Sequence, residues 1–135
     1  MTEDIKVTAI RETIEALIVA GTTSDLRGLD RIYHDDMKIQ MIDPDNNLIQ
    51  HDKDGFISML QAMNDDTTGN PNTWAEYHDI EASGNVGHVL ITRKVHLGGD
   101  DRILVPSIDL LFEDDRWQVT REVIFARPDP VSAAA

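Results

Sequence analysis

The chain has 135 residues, room for one domain that buries about two thirds of its unfolded surface. Acidic residues outnumber basic ones 25 to 12, and the net charge of −13 repels phosphate backbones and anionic lipid, which excludes nucleic acid and membrane as partners. Cysteine is absent, so thiol chemistry and a disulfide framework are excluded, and the acidic start Met1-Thr2-Glu3-Asp4 without an apolar core leads us to expect a cytoplasmic protein.

Ile10, Ile14, Leu17 and Ile18 recur at helical spacing and predict a helix from about Asp4 to Ala20, ended by Gly21. Thr22-Thr23-Ser24 offers caps for a short second helix through Leu26, Leu29, Ile32 and Tyr33. After His34-Asp35-Asp36 the period becomes two: Met37, Ile39 and Met41 predict a strand. The turn Asp43-Pro44-Asp45-Asn46-Asn47 and a return strand at Leu48-Ile49-Gln50 follow. Phe56, Met59, Leu60 and Met63 share one face of a third helix, from about Asp52 to Met63. The stretch 64–72 has no apolar residue and reads as a loop able to close over a pocket.

Four strands come next, at Thr73–Ser83, Val86–Leu97, Arg102–Glu113 and Trp117–Arg127, with Gly84-Asn85, Gly98-Gly99-Asp100-Asp101 and Asp114-Asp115-Arg116 as turns. Helices first and a meander after predict an α+β fold, a cone of three N-terminal helices on a curved, mainly antiparallel sheet. Residues 1–127 form one domain and 128–135 a tail.

The most informative strand is Leu104-Val105-Pro106-Ser107-Ile108-Asp109-Leu110-Leu111-Phe112, apolar on both faces with one carboxylate at its middle. Burying an unpartnered charge is costly, so Asp109 is expected either in a structural pair or facing a cavity. If the turn at 98–101 pairs Leu97 with Arg102, the residues His88, Leu90, Thr92 and Lys94 share the face of Val105, Ser107 and Asp109. A three-residue turn at 113–115 then adds Trp117, Val119, Arg121, Val123 and Phe125, with Asp109 and Arg121 as neighbours, whereas a two-residue turn reverses that assignment. The opposite face, with Val89, Ile91, Val95, Leu104, Ile108, Leu110 and Phe112, is expected to be an exposed apolar surface that pairs two copies into a homodimer, with Pro106 marking a bulge.

The order of elements, the stretch Ala16-Leu17-Ile18-Val19-Ala20-Gly21, the segment Ile32-Tyr33-His34-Asp35-Asp36 and the strand Ser107-Ile108-Asp109 with Phe112 resemble the nuclear transport factor two-like superfamily, which includes SnoaL-like cyclases, ketosteroid isomerases and a lumazine-binding group. The resemblance spans about Ile10 to Arg127 and implies the cone fold with a central pocket. Matched to the ketosteroid isomerases, the aspartic acid donor falls on Asp109, the donor tyrosine on Ile14 and the base on Met41, with Asp43 two residues on and better suited to its turn. Two of three parts are missing, which disfavours steroid isomerisation.

The first reading is therefore a protein binding a compact, largely apolar small molecule. Asp109 and Arg121 anchor it; Tyr33 lies at the rim, Met41, Met59 and Met63 form a flexible lining, and Trp74, Leu90 and Val123 complete the wall. The second is a SnoaL-like cyclase, isomerase or dehydratase in which Asp109, or His78 paired with Glu76, moves a proton. The third is a dimeric interaction module without a working cavity. No motif implies a cofactor, and the histidines at 34, 51, 78, 88 and 96 lack metal-ligand spacing, so no metal is expected.

Overall fold

The computed structural model describes residues 2–65, 73–97 and 100–129. Helix α1 (Thr2–Thr22) leads to α2 (Leu26–Ile32), β1 (Tyr33–Ile42), β2 (Leu48–Asp52), α3 (Lys53–Asp65), β3 (Ala75–Ser83), β4 (Val86–Leu97), β5 (Asp100–Glu113) and β6 (Arg116–Pro128). The expected α+β cone is present: one six-stranded sheet in the order β2-β1-β6-β5-β4-β3, antiparallel except for the parallel pairing of β1 with β6. Helix α1 runs through Gly21, and Asp25 rather than Thr22–Ser24 caps α2, its carboxylate accepting from the Gly28 N–H. The 66–72 part of the expected closing loop, the Gly98-Gly99 turn and tail residues 130–135 lie outside the described residues. Among the described residues no helix is long and apolar enough to cross a membrane.

The helical stripe Ile10, Ile14, Leu17 and Ile18 packs against the sheet, and Ile10 and Ile14 are wholly buried. Gly87 of β4 permits this approach, because a Cβ there would meet Ile10 Cδ1 at 2.6 Å. Lys53 opens α3 and ties it to its neighbours: its ammonium donates to the Asp30 carbonyl at 2.9 Å and the Asp35 carboxylate at 3.1 Å, and pairs with the Asp30 carboxylate at 3.0 Å. Burial disfavours its charge, but the bonds to Asp30 and Asp35 outweigh that and hold its pKa above the ordinary lysine value.

The sheet turns its faces opposite to the expectation. Val89, Ile91, Leu104, Ile108 and Leu110, expected to form the exposed dimer surface, lie beneath the helices and are at most 8% exposed. Asp109 and Arg121 are exposed on the outer face. Both faces of β5 carry apolar residues; the one with more aliphatic bulk is buried, since hydrophobic gain scales with apolar area removed from water. The β4–β5 grouping itself was right in parity and shifted by two residues, pairing Leu90 with Ser107 and His88 with Asp109.

The turn between β5 and β6 is a two-residue one, Asp114-Asp115, both with positive φ as a primed hairpin turn requires. That turn sends Trp117 and Val119 to the inner side, and an irregularity between Asp109 and Leu110, not at Pro106, then restores Asp109 opposite Arg121.

Two substitutions test the orientation. Ile108→Ala is expected to cost about 2–5 kcal/mol by chemical denaturation, as for other buried aliphatic truncations, and Asp109→Ala to change stability by less than about 0.5 kcal/mol. Equal effects would contradict the assigned faces.

Candidate functional site

Inside the cone, the apolar wall is interrupted by one polar group. Tyr33 closes α2 by donating its backbone N–H to the Leu29 carbonyl and opens β1, so its side chain is fixed by two elements at once. Its ring meets Phe56 of α3 edge-on, centroids 5.6 Å apart. Its hydroxyl donates to Glu122 Oε2 at 2.6 Å, the short length of a charge-assisted bond. Tyr33 and Glu122 are only 3% and 5% exposed.

Glu122 reaches this position by the parity of β6, in which Glu122, Ile124 and Ala126 face the helices. Burial drives its pKa up, against the Tyr33 hydrogen bond and the Arg93 charge, which both favour the carboxylate. Burial likewise pushes the Tyr33 hydroxyl well above its ordinary range, reinforced by the charge and hydrogen bond of Glu122. Arg93 of β4 is partly buried on this face; desolvation lowers its pKa while Glu122, Tyr77 and Tyr33 hold its charge in place. Its Nε donates to the Trp74 carbonyl at 3.2 Å.

Tyr77 of β3 completes the group. Arg11 of α1 stands 4.2 Å from the centre of its ring. Its hydroxyl is the one side-chain polar atom among the described residues that is buried without a hydrogen-bond partner. Burial and then the Glu15 charge raise its pKa, opposed by Arg11 and Arg93. The arrangement offers a phenolic donor, a guanidinium and a carboxyl able to hold or release a proton, set among Met37, Ile39, Met41, Phe56 and Ile91.

The expected site residues divide between the two faces. Met41 is buried in the cone and Met59 packs against its core. Tyr33 was placed at the rim and is instead fully interior. Leu90, Asp109, Arg121 and Val123 stand on the outer face; Asp109 and Arg121 are cross-strand partners, but Arg121 donates to Gln40 Oε1 at 2.7 Å rather than to the carboxylate. Trp74 is 43% exposed beneath the Lys94 ammonium. His78 is exposed and bonds Thr92 Oγ1 at 2.7 Å instead of Glu76. The Met63 side chain lies outside the described residues. Glu122, Arg93 and Tyr77 were not anticipated. Their signal was the alternation Glu122, Ile124, Ala126 and Val89, Ile91, Arg93, readable once the buried face is known.

No family model and no curated protein matches the chain. Solved structures do. A protein of unknown function from Silicibacter pomeroyi, described as NTF-2 like, superposes with a TM-score of 0.77 at 17% identity over 92% of this chain and 98% of its own. This is the NTF2-like, or nuclear transport factor two-like, fold. An NTF2-like protein of unknown function from Shewanella baltica gives 0.75 at 18% identity over 96% and 99%, and a ketosteroid isomerase-like protein from Erwinia carotovora atroseptica gives 0.66 at 16% over 90% and 95%. Within the NTF2-like cone, the buried Tyr33–Glu122–Arg93 group is the feature that packing alone does not require.

Its electrostatics fix a pH dependence. A carboxyl with a raised folded-state pKa contributes fully below the unfolded carboxylate range, and that contribution is lost as pH rises through the folded value. Glu122→Gln is therefore expected to gain Tm relative to the parent between about pH 4 and about pH 8; a pH-independent difference would show that Glu122 does not titrate in this way. Tyr33→Phe, which removes the donor and leaves the carboxyl unmatched, is expected to cost about 1–3 kcal/mol.

Proposed function

We propose that the protein binds a compact, largely apolar small molecule inside the NTF2-like cone, anchored at Tyr77, Arg93 and Glu122. The observation that carries this reading is the fully buried Glu122 carboxyl on the Tyr33 hydroxyl at 2.6 Å, beside a guanidinium and a buried phenol without a partner. Buried polar groups are costly and concentrate where a ligand completes them. Tyr77 Oη donates to an oxygen acceptor on the ligand, Arg93 favours that oxygen if it is negative, and the aliphatic wall takes the remainder. The ligand class is therefore an apolar body carrying one carbonyl or carboxyl.

Native mass spectrometry of the purified protein, followed by thermal-shift titration with small ketones and carboxylic acids, tests this. Binding is expected to weaken at least about tenfold, 1.4 kcal/mol, in Tyr77→Phe and Glu122→Gln, and to be unchanged in Asp109→Asn. Loss in Asp109→Asn with none in the other two would return the site to the outer face.

A second reading, as an isomerase, cyclase or dehydratase, rests on the same hydrogen-bonded carboxyl. Glu122 in place of Asp109 or His78 would take a proton from carbon beside the ligand carbonyl while Tyr77 and Arg93 steady the oxygen. Turnover abolished in Glu122→Gln with affinity retained separates catalysis from binding.

The homodimer is also proposed, through the outer face of the sheet as expected, but with other residues lining that face. There Leu48 and Phe125 are 53% and 55% exposed and share a cross-strand row with Ile42 and Val105. Phe125→Asp is expected to convert a dimer to a monomer in light scattering after size exclusion; a parent that runs as a monomer defeats the proposal.

A further inference from the structure

We propose that Asp79, Glu81 and His88 form a binding site for a divalent transition-metal ion on the outer face of β3 and β4. The three side chains come together through two backbone features. Glu81 lies directly opposite His88 in the antiparallel pair. A bulge between Tyr77 and Asp79 turns Asp79 and Glu81, which share a face by regular alternation, to the side opposite Tyr77 and so beside His88. One ligating atom from each residue lies within 4.8 Å of the other two. Donors on a shared ion at about 2.0–2.2 Å stand roughly 3.4 Å apart, a contraction that rotation of two exposed carboxylates supplies without backbone movement.

His88 is held ready by a residue outside the triad. Its Nε2 lies 2.7 Å from Ser107 Oγ, which fixes the ring and leaves Nδ1 for the ion. Metal-binding histidines typically have their second nitrogen tied to an oxygen in this manner, which sets tautomer and orientation. His88 is also half-buried while the carboxylates are open to solvent, so the imidazole is the rigid member and the acids close onto it.

Charge points the same way. Asp79 and Glu81 have no hydrogen-bond or ion-pair partner among the described residues, although they sit close together in a chain of net charge −13. Like charges held side by side destabilise a sheet face unless a cation joins them. The next residue across the sheet from His88 is Asp109, which adds a further carboxylate to the same row. An open groove of about 830 Å³ adjoins the cluster, lined by Val7, Glu81, His88, Asp109 and Thr120, and gives the ion's remaining positions to water or an anionic ligand. One imidazole with two carboxylates suits Zn²⁺, Co²⁺ or Mn²⁺ rather than Mg²⁺ or Ca²⁺, which prefer all-oxygen sets.

The test uses the full, untagged chain stripped with EDTA and titrated with ZnCl₂ by calorimetry, with Co²⁺ absorption as a second readout. One Zn²⁺ per chain is expected, weakened at least about tenfold in His88→Ala and in the Asp79→Asn/Glu81→Gln double variant, and about tenfold in Ser107→Ala. Circular dichroism confirms that these surface variants fold. Failure of the parent to bind Zn²⁺ saturably, equal binding by parent and variants, or Mg²⁺ binding as tight as Zn²⁺ and indifferent to His88 would each overturn the proposal. None of these outcomes bears on the cone site, which lies on the other side of the sheet.

Discussion

The hydrogen bond from Tyr33 to Glu122 is the constraint around which the interior is organised. It joins the first strand to the last across the parallel β1–β6 pairing, and places a titratable carboxyl beside the Arg93 guanidinium within an otherwise largely aliphatic and aromatic interior. An interior built for stability alone would set an apolar pair there, because replacing a buried ionic group by well-packed hydrophobes is commonly neutral or favourable. Retaining a phenol, a carboxyl and a guanidinium in one cluster gives the cone a polar end and an apolar remainder. That asymmetry is the basis of the ligand class proposed above.

The elements and their order were legible because their signals are local. Ile10, Ile14, Leu17 and Ile18 specify an amphipathic helix, and Met37, Ile39 and Met41 a strand, whatever surrounds them. Which face of β5 would be buried was not local. Even-numbered and odd-numbered residues both offer apolar side chains, so the strand reads as buried on both faces and its single carboxylate, Asp109, as paired or facing a cavity. The competition was decided by area: Leu104, Ile108 and Leu110 together outweigh Val105, Ser107 and Leu111. Once that choice is reversed, alternation alone leads to Glu122 and Arg93.

Two irregularities in strand pairing explain most of the remaining difference. The one at Asp109 and Leu110 compensates a two-residue turn of positive-φ aspartates, and the one at Tyr77 and Asp79 turns two successive side chains, His78 and Asp79, to the same side. Such offsets carry no composition signal as strong as Gly-Gly or Asn-Gly, since the residues involved are ordinary strand formers or acids. The outer face consequently reads as ordered rows, with Asp52, Lys38, Arg121, Asp109, His88 and Glu81 lying side by side across all six strands. Acids stand at both ends of that row, with Lys38 and Arg121 side by side and Asp109 between Arg121 and His88.

The parallel contact between β1 and β6 has a consequence for how the chain reaches this state. Among the strands, β1 pairs only with its hairpin partner β2 and the final strand, so the sheet is not continuous until residues 116–128 are available. During synthesis on the ribosome, α1 can rest on β3 and β4, but the first hairpin keeps an open strand edge until the last segment emerges. A chain of this design depends on its late residues to protect its early ones from self-association.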